Sequence, residues 1–278
     1  MSRLTANVES SRRRSTLWST AFAALFGLTY VAAVMTPYGQ ALDSASLGLF
    51  SWLGSGVFLA AGAFRAALPL GLGAAGLAAI GIGLAKGRIA DCLRAAGGVS
   101  LGFVLSTVLR DYTLIHPNLG QLGYQHNTYP SGHVTVAVLT GVAVVNLIRW
   151  HSAAKAVMVL SFAATLVGVV SVAALAHRAS DVIGGIALAG IIAPWMPSGY
   201  QPRLSSSRRF PSVPVAVSAT GAVGISFISI ALATSSSTLL ALGIAVLFLL
   251  AALTLTSRVL RFGVTTTLSD SQTASSGK

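Results

Sequence analysis

Apolar runs of roughly 18 to 22 residues recur along this chain, and no other feature restricts its folding options as strongly. A helix rises about 1.5 Å per residue, so each run can cross about 30 Å of hydrocarbon. Of the 278 residues, 54% are hydrophobic and only 9% charged, and the mean hydropathy of +0.78 lies far outside the range of soluble domains. The period-2 alternation of a membrane β-barrel is absent. The sequence therefore predicts an all-α, polytopic membrane helix bundle.

The predicted spans are 17–36, 67–86, 91–110, 132–150, 155–176, 181–197, 213–233 and 237–257. The segment 45–64, "ASLGLFSWLGSGVFLAAGAF", is apolar enough to cross as well, so charge has to settle the parity. If it lies in the interface or re-enters, 15 of the 18 Lys and Arg residues fall on the inner side, leaving Arg65, Arg110 and Arg178 outside. If it crosses, every later loop flips and the inner side keeps only seven. The positive-inside rule favours eight spans with both termini cytoplasmic. The loop holding "NTYPSGH" and the turn holding "AHRASD" then share the outer face.

The organisation that follows is a basic cytoplasmic N-terminus (1–16), a six-span core (17–198), a Pro/Ser/Arg-rich cytoplasmic linker (199–212), a C-terminal helix pair (213–258) and a polar, disordered cytoplasmic tail (259–278). The basic start resembles a secretory signal, but its apolar stretch exceeds the ~7 to 15 residues of a signal core, so it reads as a retained first span. A net charge of +12 raises nucleic acid as a partner. The basic residues lie in short clusters between apolar runs, without an aromatic-interleaved surface, and read as topology signals instead. The single cysteine, Cys92, excludes an internal disulfide framework and a cysteine-built zinc site. Gly98 and Gly102 in the third span suit close helix packing.

Ionisable residues at membrane depth are costly, and three outer clusters hold them: "VLRDYTLIHPNLG", with Arg110 and His116-Pro117; "YPSGHVT"; and "AHRASDVIGG". In the second, Pro130 stops the preceding structure, Ser131 is a good N-cap, and Gly132 lets a ligand approach the backbone where the fourth span begins. A helix start with unoccupied amides is an anion site, and His133 in its first turn can move a proton at neutral pH. In the third, His177 and Asp181 are four apart and share a helix face, so the carboxylate can fix the imidazole's tautomer and raise its nucleophilicity. Each cluster alone also has a plain structural reading, as a helix cap beside an interfacial histidine. Together, an anion cradle with a proton donor, a carboxylate-backed histidine and a span-end arginine on one face meet the needs of phosphoryl transfer through a phosphohistidine.

These residues resemble the type 2 phosphatidic acid phosphatase (PAP2) superfamily. Its pattern is a Lys followed by Arg-Pro, then Pro-Ser-Gly-His, then Ser-Arg upstream of His-x-x-x-Asp. "PSGH" and His177-x-x-x-Asp181 match fully, an Ile-Gly-Gly run follows, and the likeness covers about 110–185 in motifs and the first six spans in layout. The resemblance implies that His177 is the nucleophile, Asp181 its orienter and His133 the acid that protonates the leaving group. It further implies that Ser131, the Gly132 amide and Arg110, in place of the pattern's Lys, hold phosphate oxygens. Two departures stand out: His116, the candidate phosphate contact in the arginine's stead, precedes Pro117 where the pattern has Arg, and Val170 and Ser171 stand where it has Ser-Arg. Arg178, next to the nucleophile, can partly substitute as a phosphate contact, or can meet lipid headgroups at the interface.

The function so implied is a metal-independent lipid phosphatase of the cell membrane, without cofactor or nucleic-acid partner. It would cleave a lipid phosphomonoester or pyrophosphate at the outer face, such as polyprenyl pyrophosphate, phosphatidylglycerol phosphate, phosphatidate or a polyprenyl phospho-sugar. The outer loops offer too few clustered carboxylates for Mg²⁺. The departures favour an alternative of another class, a catalytically impaired relative that binds or presents a lipid. A transporter ranks last, because its charges would lie inside spans and not at one rim.

Overall fold

The computed structural model describes residues 2–50, 54–120, 126–148 and 153–196, with no side-chain detail for 2–12, 14 and 153–162. Every regular element among the described residues is helical. Helix α1 (Ser2–Thr29) runs on through a π turn (Tyr30–Val34), and the short α2 (Pro37–Ser46) follows. The long helices are α3 (Ser55–Ala85), α4 (Ile89–Val108, extended by a π turn over Leu109–Thr113), α5 (Gly132–Leu147), α6 (Ala153–Ala173) and α7 (Ala179–Ile192, ending in a 3-10 turn over Ala193–Trp195). Ser15–Val34, Ser55–Ala85 and Ile89–Thr113 are long and apolar enough to cross a membrane.

Helix α5 forms the centre, with 12 of its 16 residues buried, and packs against α3, α4, α6 and α7. A helix that is apolar all round belongs in such an interior. Helix α1 runs antiparallel along α7: Ser15 Oγ meets the Pro194 carbonyl, Ser19 Oγ donates to Ile191 O at 2.8 Å, and Phe22 packs over Gly190. The anticipated glycine packing in α4 is present. A Cβ on Gly102 would overlap Leu139 of α5, and one on Gly98 would lie 2.6 Å from Met196 Cγ. The apolar residues α3 and α4 cannot bury, among them Leu59, Leu70, Leu77, Leu93 and Phe103, form an outer belt suited to lipid.

The second span is longer than expected. Segment 45–64 is not a separate crossing or interfacial unit, because its last ten residues are the first ten of the 31-residue α3. Arg65 interrupts the hydropathy there and suggests a boundary, but a helix continues through one arginine when a polar cavity receives its head. Pro69, one turn further on, has no amide to return to the Arg65 carbonyl. Spans 213–233 and 237–257, with the linker and the tail, lie outside the described residues.

Candidate active site

The alternation of helix directions brings the α1 and α4 C-termini, the start of α3, the α5 N-terminus and the α6–α7 turn to one end of the bundle. Two helix starts are clamped together there. The Ser131 amide donates to the Asp181 carbonyl at 2.9 Å, and Thr135 Oγ1 lies 2.9 Å from Ser131 O and 3.1 Å from Gly185 O. The Ile-Gly-Gly run permits this approach. A Cβ on Gly185 would sit 2.7 Å from Ser131 O, and one on Gly184 would fall 2.5 Å from Tyr129 Cζ. Tyr129, fully buried beside Phe26 and Tyr30, donates to the Phe26 carbonyl at 2.7 Å and so ties the loop before α5 to α1. Asn127 bridges the same loop to α4, donating to the carbonyls of Arg110 and Leu114 at 3.1 and 3.0 Å.

His177 leaves the end of α6 on a fixed backbone. Its amide and that of Ala176 both donate to Ser171 O at 3.1 Å, and Leu175, just before them, has φ of 53°. The Ser171 hydroxyl is spent on Val167 O at 2.7 Å inside the bundle, so position 171 presents nothing to the cavity described below. His177 Nδ1 faces Asp181 Oδ2 at 3.3 Å, although the two do not share a helix face: His177 precedes the extended N-cap Arg178, and Asp181 reaches back to it from the first turn of α7. The same oxygen accepts the Arg178 amide at 2.8 Å, so Asp181 both closes the first turn of α7 and holds the imidazole. With Nδ1–H directed at the carboxylate, Nε2 keeps its lone pair.

Sequence reasoning missed the support behind this pair. Helix α2 lies across the start of α7: Ser46 Oγ accepts the Ala179 amide at 2.9 Å, and Asp43 accepts the Ser180 amide at 3.0 Å and its hydroxyl at 2.5 Å. Two otherwise partnerless amides of the first turn are thereby satisfied. Burial first, and then repulsion by Asp181, push the Asp43 carboxyl up to about 6, against its Ser180 hydrogen bonds and the Arg178 charge. Asp43 is one of only six acidic residues in the chain, and that scarcity was the available signal.

In front of His177 lies a cavity of about 520 Å³ lined by Arg65, Arg110, Asp111, Leu114, His126, Asn127, Thr128, His133, Ala176 and His177. The His133 and His177 rings face each other edge-on with centroids 6.4 Å apart. Arg110 is held by its neighbour, Nε to Asp111 Oδ1 at 2.7 Å and Nη2 to Oδ2 at 3.0 Å. Gly132 comes close enough to Arg110 that a Cβ would lie 3.7 Å from Nη1.

The remaining predicted residues sit behind the cavity wall. Ser131 occupies the N-cap position, but its hydroxyl makes no capping bond; it is buried without a hydrogen-bond partner, because the backbone clamp to α7 fixes the residue. Arg178 is buried, which excludes contact with lipid headgroups, and its Nη1 lies 3.2 Å from His116 Nε2. A guanidinium only donates, so that imidazole nitrogen is an acceptor and the ring is neutral. Burial, followed by the Arg178 charge, holds His116 below the usual histidine range. His116 therefore positions Arg178 and does not stand in as a second cation. Among the described residues no group of three His, Cys, Asp or Glu is set to hold a metal.

A basic cavity floored by a carboxylate-backed imidazole, with a second imidazole opposite and a helix start at its side, fits a tetrahedral anion. Residues 106–205 match the family model of the PAP2 superfamily. The match covers 100 of the 278 residues and contains Arg110, the Pro-Ser-Gly-His loop and the His177–Asp181 pair. Members of this superfamily are in general phosphoesterases. No curated protein and no solved structure matches the chain significantly. Asp43, Ser46 and Arg65 all lie upstream of the PAP2 segment.

Proposed function

We propose that the protein is a membrane lipid phosphatase working through a phosphohistidine. The observation that carries this reading is His177, held at Nδ1 by Asp181 and facing His133 across a cavity that Arg110 also lines. His177 Nε2 attacks phosphorus, the bond to the leaving oxygen breaks, and His133 gives that oxygen its proton. Asp181 stabilises the imidazolium as it forms. Water, deprotonated by His133, then attacks the phosphohistidine, and the P–N bond breaks to release inorganic phosphate. Arg110 and the amides at the start of α5 hold the phosphoryl oxygens, with Ser131 and Arg178 supporting them from behind.

The substrate is a lipid phosphomonoester or pyrophosphate, and the reaction needs no metal, since arginines and helix amides balance its charge. The distribution of basic residues supports an active site at the outer face of the cell membrane with both termini cytoplasmic. Purified protein should release phosphate from a panel of polyprenyl pyrophosphate, phosphatidylglycerol phosphate and phosphatidate in EDTA, and His177→Ala should abolish release. Equal turnover by the variant would sink the mechanism.

Two observations favour a second reading, a relative that binds lipid phosphate without cleaving it. The arginine of the third motif is replaced by the inward-facing Ser171, and Arg110 already holds a carboxylate. Phosphate-lipid binding without release, indifferent to His177→Ala, would establish that alternative.

A further inference from the structure

Helix α3 carries a single charge in 31 residues, Arg65, and directs it into the cavity that holds His133, His177 and Arg110. A guanidinium within a span is tolerated where it reaches water or a partner charge, and such a residue marks function more often than structure. Its position also answers a deficit. Arg110 is engaged by Asp111, Arg178 is buried against His116, and Ser171 turns its hydroxyl to Val167. Arg65 and His133, the proposed proton donor, line the same cavity.

We propose that Arg65 is a phosphate-binding residue that supplies, from α3, the guanidinium absent at position 171. It grips the non-bridging oxygens of the phosphoryl group as His177 attacks, opposite Arg110, so that two planar forks enclose the transferring group. A fork fits the equatorial oxygens of such a group, where charge accumulates in the transition state. This assignment rests on the phosphatase reading and deepens it.

The full chain in detergent micelles or nanodiscs provides the test, with Arg65→Leu and Arg65→Lys beside the unaltered protein. Leucine suits an apolar span, so Arg65→Leu should fold and unfold no earlier than the parent. Phosphate release should nevertheless fall 10²- to 10³-fold, roughly the loss seen when one donor to a transition-state oxyanion is removed. Arg65→Lys, which keeps charge but not the fork, should fall in between. Inorganic phosphate is the binding probe: it should raise the melting temperature of the parent and of His177→Ala, but not of Arg65→Leu.

Parent-like release and phosphate binding by Arg65→Leu would overturn the assignment and leave the phosphatase reading intact. No release by any form, with phosphate stabilising the parent but not Arg65→Leu, would uphold Arg65 as an anion ligand and overturn the catalytic reading. Neither release nor stabilisation by phosphate in the parent would overturn both.

Discussion

Replacing Asp43 with asparagine should reverse a stability trend that the cap on α7 imposes. Its carboxyl has an ordinary value of 3.8 and rises to about 6 in the folded chain. A carboxyl raised by folding holds its proton more tightly in the folded state. Its contribution is therefore fully present below about 3.8 and is lost as pH rises through about 6. At about 1.4 kcal/mol per pH unit, the charged form costs about 3 kcal/mol of stability in neutral solution. Asparagine keeps an oxygen for the Ser180 amide and offers an N–H to the Ser180 hydroxyl, which turns from donor to acceptor. The cap survives without the buried charge. Unfolding by denaturant in micelles at about pH 4 and about pH 8 should show the variant gaining about 2–2.5 kcal/mol on its parent between the two conditions. Titrations remote from Asp43 are common to both proteins and cancel. Parallel pH profiles, or a variant weaker than its parent at the higher pH, would refute the placement of a strained carboxyl beside Asp181.

Two further perturbations probe the site from other directions. Gly184→Ala puts a methyl group into the Tyr129 ring that ties the Pro-Ser-Gly-His loop to α1, so thermal unfolding should show a loss of about 1–3 kcal/mol with a fall in phosphate release. Gly71→Ala, where nothing lies within 4 Å, is the control and should cost little. Asp111→Asn should release Arg110 for substrate and lower KM at most roughly fivefold, since a partly exposed ion pair is worth no more than about 1 kcal/mol. An unchanged KM would show that Asp111 does not compete for Arg110.

The parts of the site legible in the sequence are those whose partners are close along the chain. His177 and Asp181 meet because Asp181 folds back at the start of α7 to cap the Arg178 amide, beside the residue that precedes the cap, and Gly132 opens α5 because proline and serine precede it. Neither periodicity nor motif spacing reports contacts between distant helices. The support from Asp43 and Ser46 crosses more than 130 residues to α7, and Arg65 reaches its cavity from a helix that precedes the PAP2 match. What the sequence did offer was rarity. Arg65, Arg110 and Arg178 are the three cations that the charge-based topology leaves on the outer side, and all three converge on the site region. The same interruption at Arg65 hid the true length of α3, because a hydropathy window reads a charge as a boundary whether or not a cavity receives it. Ser131 and His116 show a different limit: residue type offers a cap or a cation, whereas the hydrogen bonds a side chain makes in the fold decide what it does.

The charges gathered at this end nearly cancel before any substrate arrives. Arg65, Arg110 and Arg178 share this end of the bundle with three of the chain's six acidic residues, Asp43, Asp111 and Asp181, and Arg110 is paired directly with Asp111. Guanidinium groups left unpaired near hydrocarbon would be costly, and three unopposed cations at one end of the bundle would destabilise it. The carboxylates remove that cost, but they are not equivalent. Asp181 and Asp43 are buried and locked to the first turn of α7, whereas Asp111 is 40% exposed and can turn into water. A phosphoryl group entering the cavity can therefore take the place of one carboxylate alone, the one on Arg110, while the pair that holds His177 stays fixed. On the proposed function, binding is an exchange of one anion for another on the same guanidinium, and the positive charge a phosphate dianion needs would come from Arg65 and the freed Arg110 together.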